Sequence, residues 1–192
     1  MLIAEALHPY ADGIVVATKG GVDKRGPTGI VVDGSPGTLA RQVDEARARL
    51  RLDRIDLFQL HRVDPAVPIE RSVAALDAAR RAGRIRHIGL SNVTREELDR
   101  ALAVSPIASV QNRLNVEERE SEALLDYTAS KGIAFLPYGP LGAHPMRRGA
   151  RLDPAAALRW LLARAPNVIV IPGTTSIAHL EANARALGQG AG

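Results

Sequence analysis

Six short apolar runs punctuate the chain, and each is followed by a stretch of helical periodicity. The runs are 13–19 (GIVVATK), 55–60 (IDLFQL), 85–91 (IRHIGLS), 107–115 (IASVQNRLN), 133–141 (IAFLPYGPL) and 168–174 (VIVIPGT). Several are nearly unbroken in Val, Ile, Leu and Phe, the pattern of strands covered on both faces. The stretches 38–51, 69–82, 94–103, 120–131, 155–164 and 176–187 read as amphipathic helices. Thr94 with Glu97 makes a capping box, and Ser121 offers a helix entry after an acidic run. Gly83 and Gly132 stand where left-handed caps fall.

Strands alternating with helices predict a parallel sheet, either doubly wound or closed as a barrel. Two features favour the barrel. No glycine-rich phosphate loop joins the first run to its helix, and polar residues end run after run: Lys19, His61, Ser91 with Asn92, Gln111, Tyr138 and Thr174. A barrel gathers all such ends at one mouth, whereas an open sheet joins only those at its switch point. The expectation is one α/β domain over 1–192, of (β/α)8 TIM-barrel type. Six runs stand where that fold has eight strands and typically ~250 residues. The chain opens in a helical pattern, LIAEALHPY, so the first two strands are expected to be lacking.

Composition narrows the function. The 192 residues are 46% apolar and contain no cysteine, which excludes disulfides and thiolate chemistry. No apolar stretch approaches the ~18–20 residues of a membrane span, and the amino terminus lacks a signal-peptide pattern. A cytoplasmic location without membrane partners is expected. The net charge of +4 raises nucleic acid as a partner. Against it, basic residues interleave with acids, as in RQVDEARARLRLDR, and aromatics are only 3% of the chain, too few for a stacking platform. No HxH, HExxH or clustered Asp pattern points to a metal.

The run ends carry the candidate chemistry. Lys19, beside apolar walls, suits an acid, a base or a Schiff-base nucleophile, or is a lysine reaching solvent. His61 suits carbonyl polarisation or proton relay, or is a rim histidine held by hydrogen bonds. Ser91, Asn92 and Gln111 both donate and accept hydrogen bonds, as a carboxamide or sugar edge requires, although Ser and Asn also cap helices. Tyr138 offers a flat ring for stacking, or for plain core. Gly173, Thr174, Thr175 and Ser176 bring N–H groups and hydroxyls to a helix start, which favours phosphate.

Taken in order, IVVATKGG, DLFQLHRVD, GRIRHIGLSN, VQNRLN, LPYGPLG and IPGTTSIAHLEAN resemble the aldo-keto reductase family over essentially the whole chain. The resemblance implies a β/α barrel that transfers hydride from NADPH, or alternatively NADH, to a small carbonyl substrate. By it, Lys19 and His61 match two members of the catalytic tetrad. Ser91, Asn92 and Gln111 match the nicotinamide-carboxamide ligands, and Tyr138 matches the ring stacked on the nicotinamide. Pro140, Leu141, Gly173, Thr174, Thr175, His179 and Asn183 match further cofactor contacts, the last five in the adenosine-phosphate segment.

Three departures go with the resemblance. The tetrad's tyrosine and aspartate have no counterpart, and Tyr10, after a helix, is no substitute. Gly173 and His179 stand where many members carry Lys and Arg, and 142–154 is short for a pyrophosphate segment. The resulting expectation is an N-terminally truncated reductase with little activity of its own. The alternatives are a non-catalytic nicotinamide-nucleotide-binding or regulatory protein, and a Schiff-base lyase acting through Lys19. Sheet edges at 14–19 and 168–174 would lie unpaired unless they meet each other or another chain, which leaves self-association open.

Overall fold

The computed structural model describes residues 2–25, 29–142 and 153–188 and divides into two units, 1–109 and 110–192. The first unit begins with helix α1 (Leu2–Leu7) and strand β1 (Ala17–Gly20). An antiparallel hairpin of β2 (Val22–Arg25) and β3 (Gly29–Val32) follows. Then come α2 (Pro36–Leu50), β4 (Ile55–Leu60), α3 (Ile69–Arg81), β5 (Ile85–Ser91), α4 (Arg95–Leu102) and the start of β6 (Ile107–Gln111). The strand order here is β1-β4-β5-β6. β1 and β4 are parallel with Lys19 opposite Gln59, and β4 and β5 are parallel with Gln59 opposite Gly89.

Strand alternation divides this sheet into two chemically distinct faces. Phe58, Leu60, Ile88 and Leu90 fall on one face and are fully buried, as are Leu39, Val43, Val73, Leu76 and Leu98 from the helices. Lys19, Gln59, His61, Gly89 and Ser91 fall on the other. The helix pattern and the candidate polar residues therefore use opposite sides of the same strands.

Helix ends follow the sequence closely. The Thr94–Glu97 capping box is present, with the Thr94 N–H donating to Glu97 Oε2 at 2.8 Å and the Glu97 N–H donating to Thr94 Oγ1 at 3.2 Å. Gly83 has φ 73°, and the Arg84 N–H closes the end of α3 on the Ala79 carbonyl at 3.0 Å. α2 closes in the same way without a glycine: Arg51 takes φ 56°, and the Leu52 N–H reaches the Arg47 carbonyl at 3.1 Å. An L side chain in that conformation costs about 1–2 kcal/mol.

The second unit holds the end of β6, α5 (Glu122–Ser130), β7 (Ala134–Phe135), α6 (Pro154–Leu162) and α7 (Ile177–Gly188). Leu114, Leu125, Phe135, Leu158 and Leu161 are fully buried in it. Gly132 caps α5 at φ 67°. Ser121 enters that helix through its backbone, with no side-chain cap bond.

Three expectations are corrected. The run 168–174 makes one bridge, Val168 with Phe135, in place of a full strand. Pro172 has no N–H for a ladder, and Pro137 ends the neighbouring β7 after two residues. The run at 13–19 is a strand only from Ala17, and Ile14 and Val15 before it are 44% and 69% exposed. The hairpin of β2 and β3 was not expected.

Candidate functional site

In the first unit, four of the expected residues come together at the carboxyl ends of β1, β4 and β5. The His61 N–H donates to the Gly20 carbonyl at 2.8 Å, which fixes the chain just past β4 against the residue following Lys19. The His61 carbonyl in turn accepts Asn92 Nδ2 at 3.1 Å, and the same amide lies 3.0 Å from Ser91 Oγ. Asn92 has φ 56°, a left-handed turn that asparagine tolerates better than most residues and that folds its amide back toward His61. Ser91 is buried, and Asn92, Lys19 and His61 are partly so.

Electrostatics distinguishes this group from an ordinary rim. Burial pushes the Lys19 amine below its usual pKa. Burial, then the charges of Lys19 and Arg62, push the His61 imidazole below its usual value, which favours its neutral form. A neutral imidazole beside an ammonium can present a donor or an acceptor to a polar ligand. An NMR titration of the ring protons should place the His61 midpoint below the ordinary histidine value. Lys19→Met should move that midpoint upward by removing a like charge. A midpoint unmoved by the substitution would mean that the two groups do not interact.

Three supporting residues escaped sequence reasoning. Gln42 of α2 is buried; its Oε1 accepts the Gly21 N–H at 2.6 Å and its Nε2 donates to Asp23 Oδ1 at 2.8 Å. It therefore holds the backbone two residues past Lys19. Gln59, opposite Lys19, donates to Ser109 Oγ at 3.3 Å across Gly89. Asp64 accepts the Gly34 N–H at 2.9 Å and the Ala66 N–H at 2.8 Å. The available signal was a glutamine within the apolar stripe of Leu39, Val43 and Ala46, and another inside an apolar strand.

In the second unit, Gln111 is buried at the end of β6. Tyr138 is held by its N–H on the Asn112 carbonyl at 3.0 Å, and Pro140 behind it is buried. A cavity of about 450 Å³ is lined by Leu141, Gly173, Thr174, Thr175, His179 and Asn183, all expected from the sequence, together with Pro154 and Ala182. It lies at the first turns of α7, where Thr174 Oγ1 accepts the Ser176 N–H at 3.1 Å and Ser176 Oγ accepts the His179 N–H at 3.4 Å. Asn183 is buried against it. Residues 143–152, most of the expected pyrophosphate segment, lie outside the described residues.

Trp160 and Tyr127 stand apart from these groups. Arg119 and Arg164 lie over the Trp160 ring at 4.9 and 5.6 Å, and Lys131 lies over Tyr127 at 5.4 Å. Among the described residues there is no cluster of three or more His, Cys, Asp or Glu able to hold a metal. Among the same residues, no helix is long and apolar enough to cross a membrane.

Comparison with known proteins gives a consistent result. The model of the aldo/keto reductase family matches residues 1–156. An uncharacterized oxidoreductase of Schizosaccharomyces pombe is 40% identical over 97% of this chain, which spans 64% of that protein's length. Pyridoxine 4-dehydrogenase of Escherichia coli is 36% identical over 95% of this chain and 69% of its own. Among solved structures, an aldo-keto reductase from Bacillus halodurans superposes with a TM-score of 0.81 at 24% identity, covering 96% of this chain and 71% of that one. An aldo/keto reductase from Klebsiella pneumoniae, solved with NADP and acetate, gives a TM-score of 0.77 at 24% identity, covering 97% and 69%. These superpositions show the fold, which is of the β/α-barrel class expected from the sequence.

Proposed function

Because the chain belongs to the aldo/keto reductase family, we propose that it serves NAD(P)H-dependent reduction of a small aldehyde or ketone. The observation that carries this reading is the pairing of Lys19 with His61 on adjacent strand ends, where the lysine charge acts on the imidazole. In the proposal the neutral His61 hydrogen-bonds the substrate carbonyl oxygen, and the Lys19 ammonium draws negative charge developing there. Ser91, Asn92 and Gln111 hold the nicotinamide carboxamide, and Tyr138 receives the flat ring. The bound dihydronicotinamide supplies the hydride.

The cavity at α7 supports a cofactor of this kind. Its volume is in the range of ligand sites, and the helix start with its hydroxyls favours a phosphate. Gly173, Thr174, Thr175, His179 and Asn183 would hold the adenosine-phosphate end, with Pro140 and Leu141 nearer the middle of the cofactor. Among the described residues lining this cavity, the titratable side chain for a 2′-phosphate is His179. NADPH is the proposed cofactor and NADH its competitor.

The reaction also needs a proton for the alkoxide that hydride transfer creates. Tyr10, the one tyrosine of the first unit, donates its hydroxyl to the Leu50 carbonyl at 3.0 Å and is committed there. The second reading, a nucleotide-binding protein without catalysis, keeps the same cofactor residues. Fluorescence titration of the 192-residue chain with NADPH and NADH should give micromolar binding, with little oxidation of NADPH when an aromatic aldehyde is added. Absence of binding would overturn the cofactor reading. Robust turnover would overturn both the need for a further proton donor and the second reading.

A further inference from the structure

The segment from Arg113 to Glu118 folds back on Tyr138. Arg113 and Tyr138 form a parallel bridge, and the Leu114 N–H donates to the Tyr138 carbonyl at 3.4 Å. Asn115, fully buried, locks the turn. Its Nδ2 donates to Glu118 Oε2 at 2.8 Å and to the Gly139 carbonyl at 3.0 Å, and its Oδ1 accepts the N–H groups of Glu117 and Glu118, both at 2.9 Å. Within this frame the Arg113 guanidinium lies over the Tyr138 ring, 5.2 Å from its centroid. Its Nη1 donates to both Glu118 oxygens, at 2.9 and 3.1 Å. Hydrogen bonding to Tyr138, then to Glu118, raises the Arg113 pKa, so the guanidinium stays charged.

A cation therefore covers one face of the ring, and a carboxylate partly cancels that cation from the side. A flat ligand stacking on this ring would take the face away from Arg113. A bare tyrosine ring attracts a cation through its quadrupole. A guanidinium fixed on one face opposes that attraction on the other, because its charge repels a second cation across the ring's thickness. A neutral ring feels no such repulsion.

We infer that Arg113 and Glu118 together set how strongly the Tyr138 face prefers a neutral dihydronicotinamide over the oxidised pyridinium cation. This rests on the cofactor reading proposed above. Arg113 favours the reduced form by repelling the pyridinium, and Glu118 moderates that preference by screening Arg113. Both are positioning and tuning residues, since neither need touch the ligand.

The two residues pull in opposite directions, which makes the test sharp. The quantity is the ratio of Kd for NADP+ to Kd for NADPH, measured by titration at low ionic strength. Arg113→Met should lower the ratio by about three- to tenfold, and Glu118→Gln should raise it by about threefold, both effects shrinking as salt is added. Loss of packing weakens both nucleotides together and cannot move the ratio in opposite directions. A ratio unchanged in both variants, or shifted the same way in both, would overturn this inference and leave the cofactor reading intact. Failure of the unaltered chain to bind either nucleotide would overturn the cofactor reading, and this inference with it.

Discussion

Gly89→Ala should lower the free energy of unfolding by about 2–3 kcal/mol, read from urea transitions. Gly89 stands opposite Gln59 in the β4–β5 ladder, and Gln59 stands opposite Lys19 in the β1–β4 ladder. The Gln59 side chain crosses over Gly89 to reach Ser109 Oγ at 3.3 Å. A methyl at position 89 would sit 2.8 Å from Gln59 Cγ and would meet Ser109 Oγ still more closely. Gln59 and Ser109 are both buried and hydrogen-bonded to each other, so neither can swing away without orphaning a polar group. Ser109→Gly in the same chain removes the nearer obstacle. The double variant should therefore lose at least 1 kcal/mol less than the two single losses added together. Additive losses would mean that the backbone, not these side chains, excludes the methyl. An unfolding free energy unchanged in Gly89→Ala would show that the row has room for a methyl.

That row also shows which parts of the molecule the sequence reveals. The strands at 55–60 and 85–91 were legible because burial on both faces demands near-continuous apolar runs, and His61 and Ser91 were legible as the places where those runs stop. Helix ends were legible wherever a local rule applies, as at Thr94, Gly83 and Gly132. Arg51 was not, because no local rule puts an arginine where glycine is favoured. The β2–β3 hairpin escaped because its arms are four residues each, and Asp23, Lys24 and Arg25 interrupt the first. Gln42, Gln59 and Asp64 escaped for another reason. Their partners are Gly21, Ser109 and Gly34, which are 21, 50 and 30 residues away. Nothing local distinguishes a polar side chain that serves a distant backbone group from one that faces water.

Asp64→Ala should cost about 2–4 kcal/mol and should loosen the His61 loop more than the rest of the first unit. Asp64 lies three residues past His61 and is 8% exposed. One carboxylate oxygen takes the Gly34 N–H and the other takes the Ala66 N–H. Ser72 grips the same glycine from the other side, its Oγ donating to the Gly34 carbonyl at 2.7 Å. A Cβ on Gly34 would approach Ser72 Oγ to 2.9 Å and Asp64 Cβ to 3.0 Å, so only glycine fits between them. Alanine at 64 would leave the buried Gly34 N–H without an acceptor, which alone costs about 1–3 kcal/mol. Ala66 is exposed, so water can serve its N–H. Asn at 64 keeps one acceptor oxygen but turns an NH2 toward one of the two donors, and should recover about half of the loss. The consequence reaches the polar group through a defined path. Gly34 precedes Ser35, the N-cap of α2, and Gln42 of that helix holds Gly21 beside Lys19. Hydrogen exchange should therefore quicken at Gly34 first, then at Gly21 and His61, while amides in β5 keep their protection. Uniform loss of protection across the unit would mean that Asp64 supports the whole unit and not this path.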